Sequence, residues 1–382
     1  MFYLVFAIAF FLYGLLNYYI GLRFWQGLFS YFPHISSSGY WSVFCLIALS
    51  YLLARVGEKF LPAVISQSFS VVGSYWLGVM FYAFLTLLVV DMIRLLDKAF
   101  SFLPGGLKTS PAVGMALLLL IGGIVIYGAW NARNPIIHHY ELSVDKTAGD
   151  FKDLHIVMVS DVHLGTIMDN GRLTQMLNLI NAQHPDLILI VGDMIDENVE
   201  RVIEREMQAN LTQLQARYGT YAVLGNHEYI GRHVDEAIKY LQESGVKVLK
   251  DQIVSIAGGV YLVGRDDRTG ERFGGGKRKT LDTLLQGVQP SRPIIVMDHQ
   301  PSHLEEPEQA GVDLQLSGHT HQGQLFPNNF ITNRIFENDF GFLQKGAFQI
   351  IVSSGYGTWG PPLRVGNKPE IVDIRLHFGV PK

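Results

Sequence analysis

Charge is spread so unevenly along this chain that it dictates two kinds of structure. Residues 1–130 carry nine charged side chains (Arg23, Arg55, Glu58, Lys59, Asp91, Arg94, Asp97, Lys98 and Lys108), whereas the 382-residue chain as a whole has 30 basic and 34 acidic ones. A single water-soluble domain is not built in this way. A hydrocarbon layer about 30 Å thick is crossed by roughly 20 mostly apolar residues in a helix. Four segments meet that requirement, at 1–22, 38–54, 71–90 and 111–130. The fourth is the most apolar, with no polar side chain from Met115 to Ile126. Tyr40 and Trp41 suit a membrane interface at one end of the second. A cleaved leader would account for the first segment alone. Residues 1–132 therefore read as a transmembrane region of about four helices, and the protein as a multi-pass component of the cell membrane.

Topology is balanced. With both ends of the four spans on one side, Arg55, Lys59 and Arg133 share that side, against Arg23, Arg94, Lys98 and Lys108 opposite. The side faced by the rest of the chain stays open. No charged residue sits at mid-span, where an ion or proton pathway leaves one, and Ser66-Gln67-Ser68 reads as a connector. The region is an anchor, not a transporter. Cys45 is the one cysteine, which excludes a disulfide framework. A net charge of −4 excludes the basic footprint of a general nucleic-acid binder, and no nucleic-acid partner is expected.

After a linker at 133–150, the composition of residues 151–382 is that of a soluble domain. Short β-branched runs recur and stop at polar clusters: Leu154 to Ser160 at Asp161-Val-His163, and Leu187 to Val191 at Gly192-Asp193. Thr220 to Leu224 stops at Gly225-Asn226-His227-Glu228, Pro293 to Met297 at Asp298-His299, and Asp313 to Ser317 at Gly318-His319-Thr320-His321. Helix-like stretches at 170–182 and 198–218 separate the early runs. Strand–helix–strand order implies crossovers around a sheet, with ligands gathered at the strands' C-terminal ends. Asp161, His163, Asp193, Asn226, His299, His319 and His321 then form a set of oxygen and imidazole donors without a thiolate, suited to Mn²⁺, Fe or Zn²⁺. Seven donors exceed one tetrahedral ion and suit two divalent metal ions sharing a carboxylate.

Asp-x-His, Gly-Asp, Gly-Asn-His-Glu, a lone His after a strand and Gly-His-Thr-His, in this order over about residues 150–380, resemble the calcineurin-like metallophosphoesterase superfamily. The tail Ser353 to Arg364 with Pro369 to Ile374 is similar to its bacterial membrane-associated phosphodiesterase subgroup, some of whose members carry N-terminal transmembrane helices. The resemblance implies a four-layer α/β/β/α sandwich, two mixed sheets flanked by helices, behind the helical bundle. It implies Asp161, His163 and His321 at a first metal, Asn226, His299 and His319 at a second, and Asp193 bridging. His227 would be the catalytic acid for the leaving alkoxide. The implied reaction is hydrolysis of a phosphate ester, a diester before a monoester, by a metal-bridging hydroxide. Anchoring directs attention to membrane lipids and to a lipid-linked or envelope-derived substrate. Gln322 departs from the Gly that many relatives have after His321.

Other features read blandly. His34, His138, His139, His155, His184, His233, His303 and His377 lack motif context and read as surface or core residues. Asp266 and Asp267 read as a turn that could face the site, Glu228 as a structural hydrogen-bond partner, and the basic stretch 270–280 as a solvated loop, with contact to a phosphate head group as the rival. The sequon at Asn210 lies in a helical stretch. A non-catalytic membrane scaffold or sensor is the alternative to an enzyme. Loss of a ligand residue would signal it, and none is missing.

Overall fold

The computed structural model describes residues 2–28, 31, 34–58, 60–105, 111–196 and 198–379. The chain divides into two compact units, Met1–Trp130 with Gly360–Leu363, and Asn131–Trp359 with Arg364–Lys382.

The first unit holds helices α1 (Phe2–Leu28), α2 (Ser37–Gly57), α3 (Ala63–Phe100) and α4 (Pro111–Asn131). Each contains a window long and apolar enough to cross a membrane. α3 is 38 residues long, well beyond the expected 71–90, because no proline interrupts it between Pro62 and Pro104 and its last turns carry Asp91, Arg94, Asp97 and Lys98 outside the apolar window. Several polar groups in this unit are paired. Trp76 donates to the Asn17 side-chain oxygen at 2.9 Å, and Arg23 and Tyr19 both donate to Asp91, at 2.5 and 2.6 Å. α2 and α3 approach closely at Gly73, where a Cβ would lie 2.3 Å from the backbone nitrogen of Tyr51; small residues permit this kind of helix contact where apolar surroundings give no hydrophobic drive.

The second unit has twelve strands among the described residues: β1 (Ile136–Val144), β2 (Asp153–Val159), β3 (Leu187–Val191), β4 (Thr220–Val223), β5 (Val246–Val248), β6 (Gln252–Ile256), β7 (Val260–Gly264), β8 (Ile294–Met297), β9 (Leu314–Ser317), β10 (Gly341–Lys345), β11 (Phe348–Val352) and β12 (Glu370–Phe378). They form two six-stranded mixed sheets, in the orders β1-β12-β2-β3-β4-β5 and β10-β11-β9-β8-β7-β6. Strands β2 to β5 run parallel, as do β7, β8, β9 and β11, while β12 opposes β2, and β6 and β10 oppose their neighbours.

Alternation along the strands explains the layers. Leu154, Ile156 and Met158 of β2 join Leu187 and Leu189 of β3 and meet Leu262, Ile295, Met297, Leu314 and Leu316 from the other sheet. Val157, Val159, Ile188 and Ile190 face the opposite way, onto Leu173, Met176, Leu177 and Ile180 of α5 (Asn170–Asn181). The second sheet's outer face (Val263, Val296, Ile350, Val352) is covered by Leu281, Leu284 and Leu304. Apolar side chains on both faces make these strands continuous apolar runs instead of alternating ones. This is the four-layer sandwich of two mixed sheets flanked by helices.

Two expectations change. The stretch 133–150 is not only a linker, because it contains β1, paired parallel with β12 over nine residues. The helix expected over 198–218 is two short pieces, α6 (Val199–Glu204) and α7 (Gln208–Leu211), separated by Glu206 at φ 52°. No glycine or proline marks that break in the sequence.

Candidate metal centre

Every candidate residue lies just past the C-terminal end of a strand, on adjacent strands of each sheet. β2, β3 and β4 lead to Asp161 and His163, Asp193, and Asn226 with His227; β8 and β9 lead to His299, and His319 with His321. The chain turns sharply at these points. Asp161, His163, Asp193, His319 and His321 all have φ between 48° and 72°, the left-handed region that non-glycine residues rarely occupy. Gln322 joins them at φ 49°, a conformation glycine would take without strain. Gly225 is required by space: a Cβ there would lie 2.1 Å from the Asp193 Oδ1 atom.

The side chains converge. His163 and His321 face each other through their Nε2 atoms at 3.2 Å, and His321 Nε2 is 3.5 Å from Asp161 Oδ1. Asp193 Oδ2 lies 3.2 Å from His299 Nε2 and 4.0 Å from His163 Nε2. The Asn226 Oδ1 atom is 2.8 Å from His319 Nδ1 and 3.3 Å from His299 Nε2. Three groups of donor atoms are tight enough to hold a metal ion: Asp161, His163 and His321; Asp193, His299 and His319; and His163, Asp193 and His227. The structure thus brings together all seven candidate ligands and His227.

Electrostatics sharpen the picture. Burial pushes His163 and His319 down to about 4, and His321 well below the ordinary imidazole value, so these rings are neutral and their lone pairs free. Burial works against the charge on Asp193, yet His299, His227 and His163 hold it well below the usual carboxylate range. Burial likewise opposes the charged His299 ring, but Asp193, Asp161 and Asp267 raise it well above the ordinary value. A proton on His299 is the positive charge this cluster needs when nothing else supplies it. Two buried imidazole nitrogens facing each other 3.2 Å apart, with the Asp161 and Asp193 carboxylates beside them, fit a cation between them.

A surrounding shell fixes these groups. His299 Nδ1 donates to the Val191 carbonyl at 2.9 Å, and the backbone N–H of His319 donates to Asp161 at 3.0 Å. The Glu228 carboxylate accepts from the backbone N–H groups of Gly225, Asp193 and Ile195 at 2.8, 3.2 and 2.9 Å, the structural role expected of it. Burial raises it to about 7. Fully buried Arg364 donates to the carbonyls of Gly355, Gly357 and His321, clasping the loop that carries His321. Arg364 ends the tail motif, but nothing in the sequence marks it as buried.

Asp196 is a residue that sequence reasoning missed. Its Oδ1 lies 3.2 Å from His227 Nδ1. Its only signal is its place three residues after Asp193. The Trp359 ring stands edge-on to His227 at 5.7 Å, and Phe336 edge-on to His319 at 6.0 Å. Asp266 takes the Tyr229 hydroxyl at 2.5 Å and is structural, while Asp267 accepts from Gln300 at 3.0 Å, beside His299. The basic loop departs from a purely solvated one at Arg278, which is buried and forms a two-pronged pair with Asp298 at 3.2 and 2.6 Å. His138, His139, His155 and His377 pair with Glu370, Asp373 or Asp153 along β1, β12 and β2, away from the centre.

Comparison with known proteins gives this geometry a context. Residues 154–323 match the family model described as calcineurin-like phosphoesterase. A Helicobacter pylori metallophosphoesterase is 32% identical over 72% of this chain and 73% of its own length. An Aquifex aeolicus metallophosphoesterase is 35% identical over 59% of this chain and 85% of its own. A Danio rerio transmembrane protein with a metallophosphoesterase domain is 28% identical over 81% of this chain and 72% of its own. The four apolar helices, together with relatives named as transmembrane proteins, make this a multi-pass membrane protein whose phosphoesterase domain implies divalent metal ions and a phosphate-ester substrate. The chain belongs to the calcineurin-like phosphoesterase family.

Proposed function

We propose that this protein is a membrane-anchored phosphodiesterase dependent on two divalent metal ions, of the Mn²⁺, Fe or Zn²⁺ type. Asp161, His163 and His321 would hold one ion, Asn226, His299 and His319 the other, and Asp193 would bridge them. The observation that carries this reading is the central place of Asp193, whose Oδ2 lies 3.2 Å from His299 and 4.0 Å from His163, one residue from each group. When bound, the ions supply charge neutralisation for an anionic ester and a water of lowered pKa.

The chain's own residues do the rest. Neutral His163, His319 and His321 offer lone pairs without first losing protons. His227 is held against the centre by its backbone N–H, which donates to Asp193 Oδ1 at 2.8 Å. Asp196, 3.2 Å from His227 Nδ1, fixes the orientation of that ring, the kind of partner a general acid needs. Trp359 covers one edge of that ring and limits the approach of bulk water.

The test is hydrolysis of a chromogenic phosphodiester beside the matching monoester by purified full-length protein with added Mn²⁺, using Asp193→Asn as the blank. Diester turnover that is absent from the blank is expected. A preference for the monoester overturns the diester reading, and equal turnover by the blank overturns the bridging role.

A further inference from the structure

The segment from Phe326 to Phe336 is arranged opposite to a helix that meets water. Its short helix, Asn329–Ile335, buries no residue. Half-buried Thr332 donates to buried Asp339 at 2.6 Å and exposed Asn333 reaches the same carboxylate at 3.4 Å, and the Asp339 carbonyl in turn accepts from Thr320, between His319 and His321. Its apolar side chains turn outward, with Phe330, Ile331 and Ile335 exposed by 66, 58 and 68%. Phe326 meets Phe330 edge-on at 5.7 Å, and Gln324 holds the backbone of Trp359, itself 56% exposed, at 2.9 Å. A surface helix in water turns such apolar side chains to the core, and exposed apolar surface of this kind marks an interaction site.

This surface belongs to the metal centre. At one end Trp359 meets His227, and at the other Phe336 meets His319. The chain is also a membrane protein, and only four residues separate α4 from β1, a reach of roughly 14 Å at most. The domain is therefore tethered within reach of a bilayer surface.

We propose that this apolar collar enters the interfacial layer of the bilayer and that the site accepts an amphiphilic, lipid-borne phosphate ester whose apolar chain rests on the collar while its phosphate reaches the metal centre. The collar argument stands on exposure and packing alone; the substrate class rests on the phosphoesterase reading above. Arg334, in the last turn of the same helix, adds a cation suited to anionic head groups.

Two measurements test this in the full-length protein reconstituted in vesicles of equal parts phosphatidylcholine and phosphatidylglycerol. In a Cys45→Ser background, an environment-sensitive fluorophore is placed at Ile331→Cys and, as control, at Glu243→Cys, an exposed helix position. Quenching by doxyl-labelled phosphatidylcholine is expected at 331 and not at 243. An unquenched probe at 331 overturns the collar, and a probe shielded only at high protein density shows a second copy there instead. Next, kcat/KM is compared for p-nitrophenyl ethyl phosphate and p-nitrophenyl dodecyl phosphate. The dodecyl ester is expected to be favoured by about tenfold or more, with the ratio collapsing in F330S/I331S/I335S while metal content, Tm and ethyl-ester turnover are kept. A ratio unchanged in that variant overturns the amphiphilic substrate. No hydrolysis of either ester by the unaltered protein overturns the diester reading and leaves the quenching result to decide the collar.

Discussion

The two sheets contribute unequal chemistry to one centre. Strand ends of the first sheet deliver the carboxylates and the amide (Asp161, Asp193, Asn226) with one proposed ligand imidazole, His163; those of the second deliver imidazoles alone (His299, His319, His321). Neither half could hold two hard cations by itself, since one lacks neutral donors in number and the other lacks negative charge. Each proposed ion takes ligands from both sheets. On that proposal, metal binding and the packing of the sandwich would be one equilibrium, with the ions stapling together sheets that the apolar core already apposes.

That pairing can be broken at its most shared point. Asp193→Asn is expected to abolish turnover, by about 10³-fold or more, and to lower metal content measured by elemental analysis. Activity within tenfold of the unaltered protein would mean the halves are not bridged there. Removing the acid leaves the staple intact: His227→Ala is expected to lower kcat by roughly 10²–10⁴ with both metals retained, and Asp196→Asn to lower it less while moving the alkaline limb of the pH profile, where a general acid loses its proton, to lower pH. Loss of metal in His227→Ala would move His227 into the ligand set. Stripping the ions with a chelator is expected to lower Tm by several degrees, and an unchanged Tm would show that the sheets do not feel the staple.

The halves also differ in protons. His299 is held protonated in the metal-free state, whereas His163 and His319, near 4, are already neutral at pH 7. Because the cation must displace the proton from His299, apparent metal affinity should rise with pH, by up to about tenfold per unit, until the raised pKa is passed. Calorimetry at pH 7 in buffers of different ionisation enthalpy should find close to one proton released per centre filled. Zero release would contradict the charged His299. The smallest effect is expected at Glu228→Gln, where an amide nitrogen facing three backbone N–H groups costs about 1–3 kcal/mol of stability with little change in ester preference.

The sequence made the strands and the convergence of their ends legible through a simple pattern, apolar runs the length of strands, each stopping at a polar cluster; the two-sheet sandwich was implied only by the family resemblance those clusters carry. Asp161, His163, Asp193, Asn226, His299, His319 and His321 each follow such a run. What it hid depends on long-range packing. β1 was obscured by its half-buried edge, where alternation is weak, and by its pairing with a strand more than 200 residues away. Glu206 breaks a helix without a glycine or proline. Arg278 and Arg364 are ordinary surface residues by composition, and only tertiary partners such as Asp298 and the Gly357 carbonyl make burial affordable. The collar at 326–336 was illegible for a related reason: three apolar side chains in a short helix look like core until one sees which face turns inward.

The pairing of β1 with β12 also has a consequence in time. His139 and Asp373, facing each other across these strands, are 234 residues apart, and β12 separates β1 from every other strand of its sheet. The ribosome therefore delivers the apolar helices, and then β1, long before β12 exists to receive it. Throughout that interval β1 has a bare edge with nothing to pair with. The last strand synthesised closes the first sheet, so losing it would leave the membrane anchor joined to the enzyme by an unfolded cord instead of a strand.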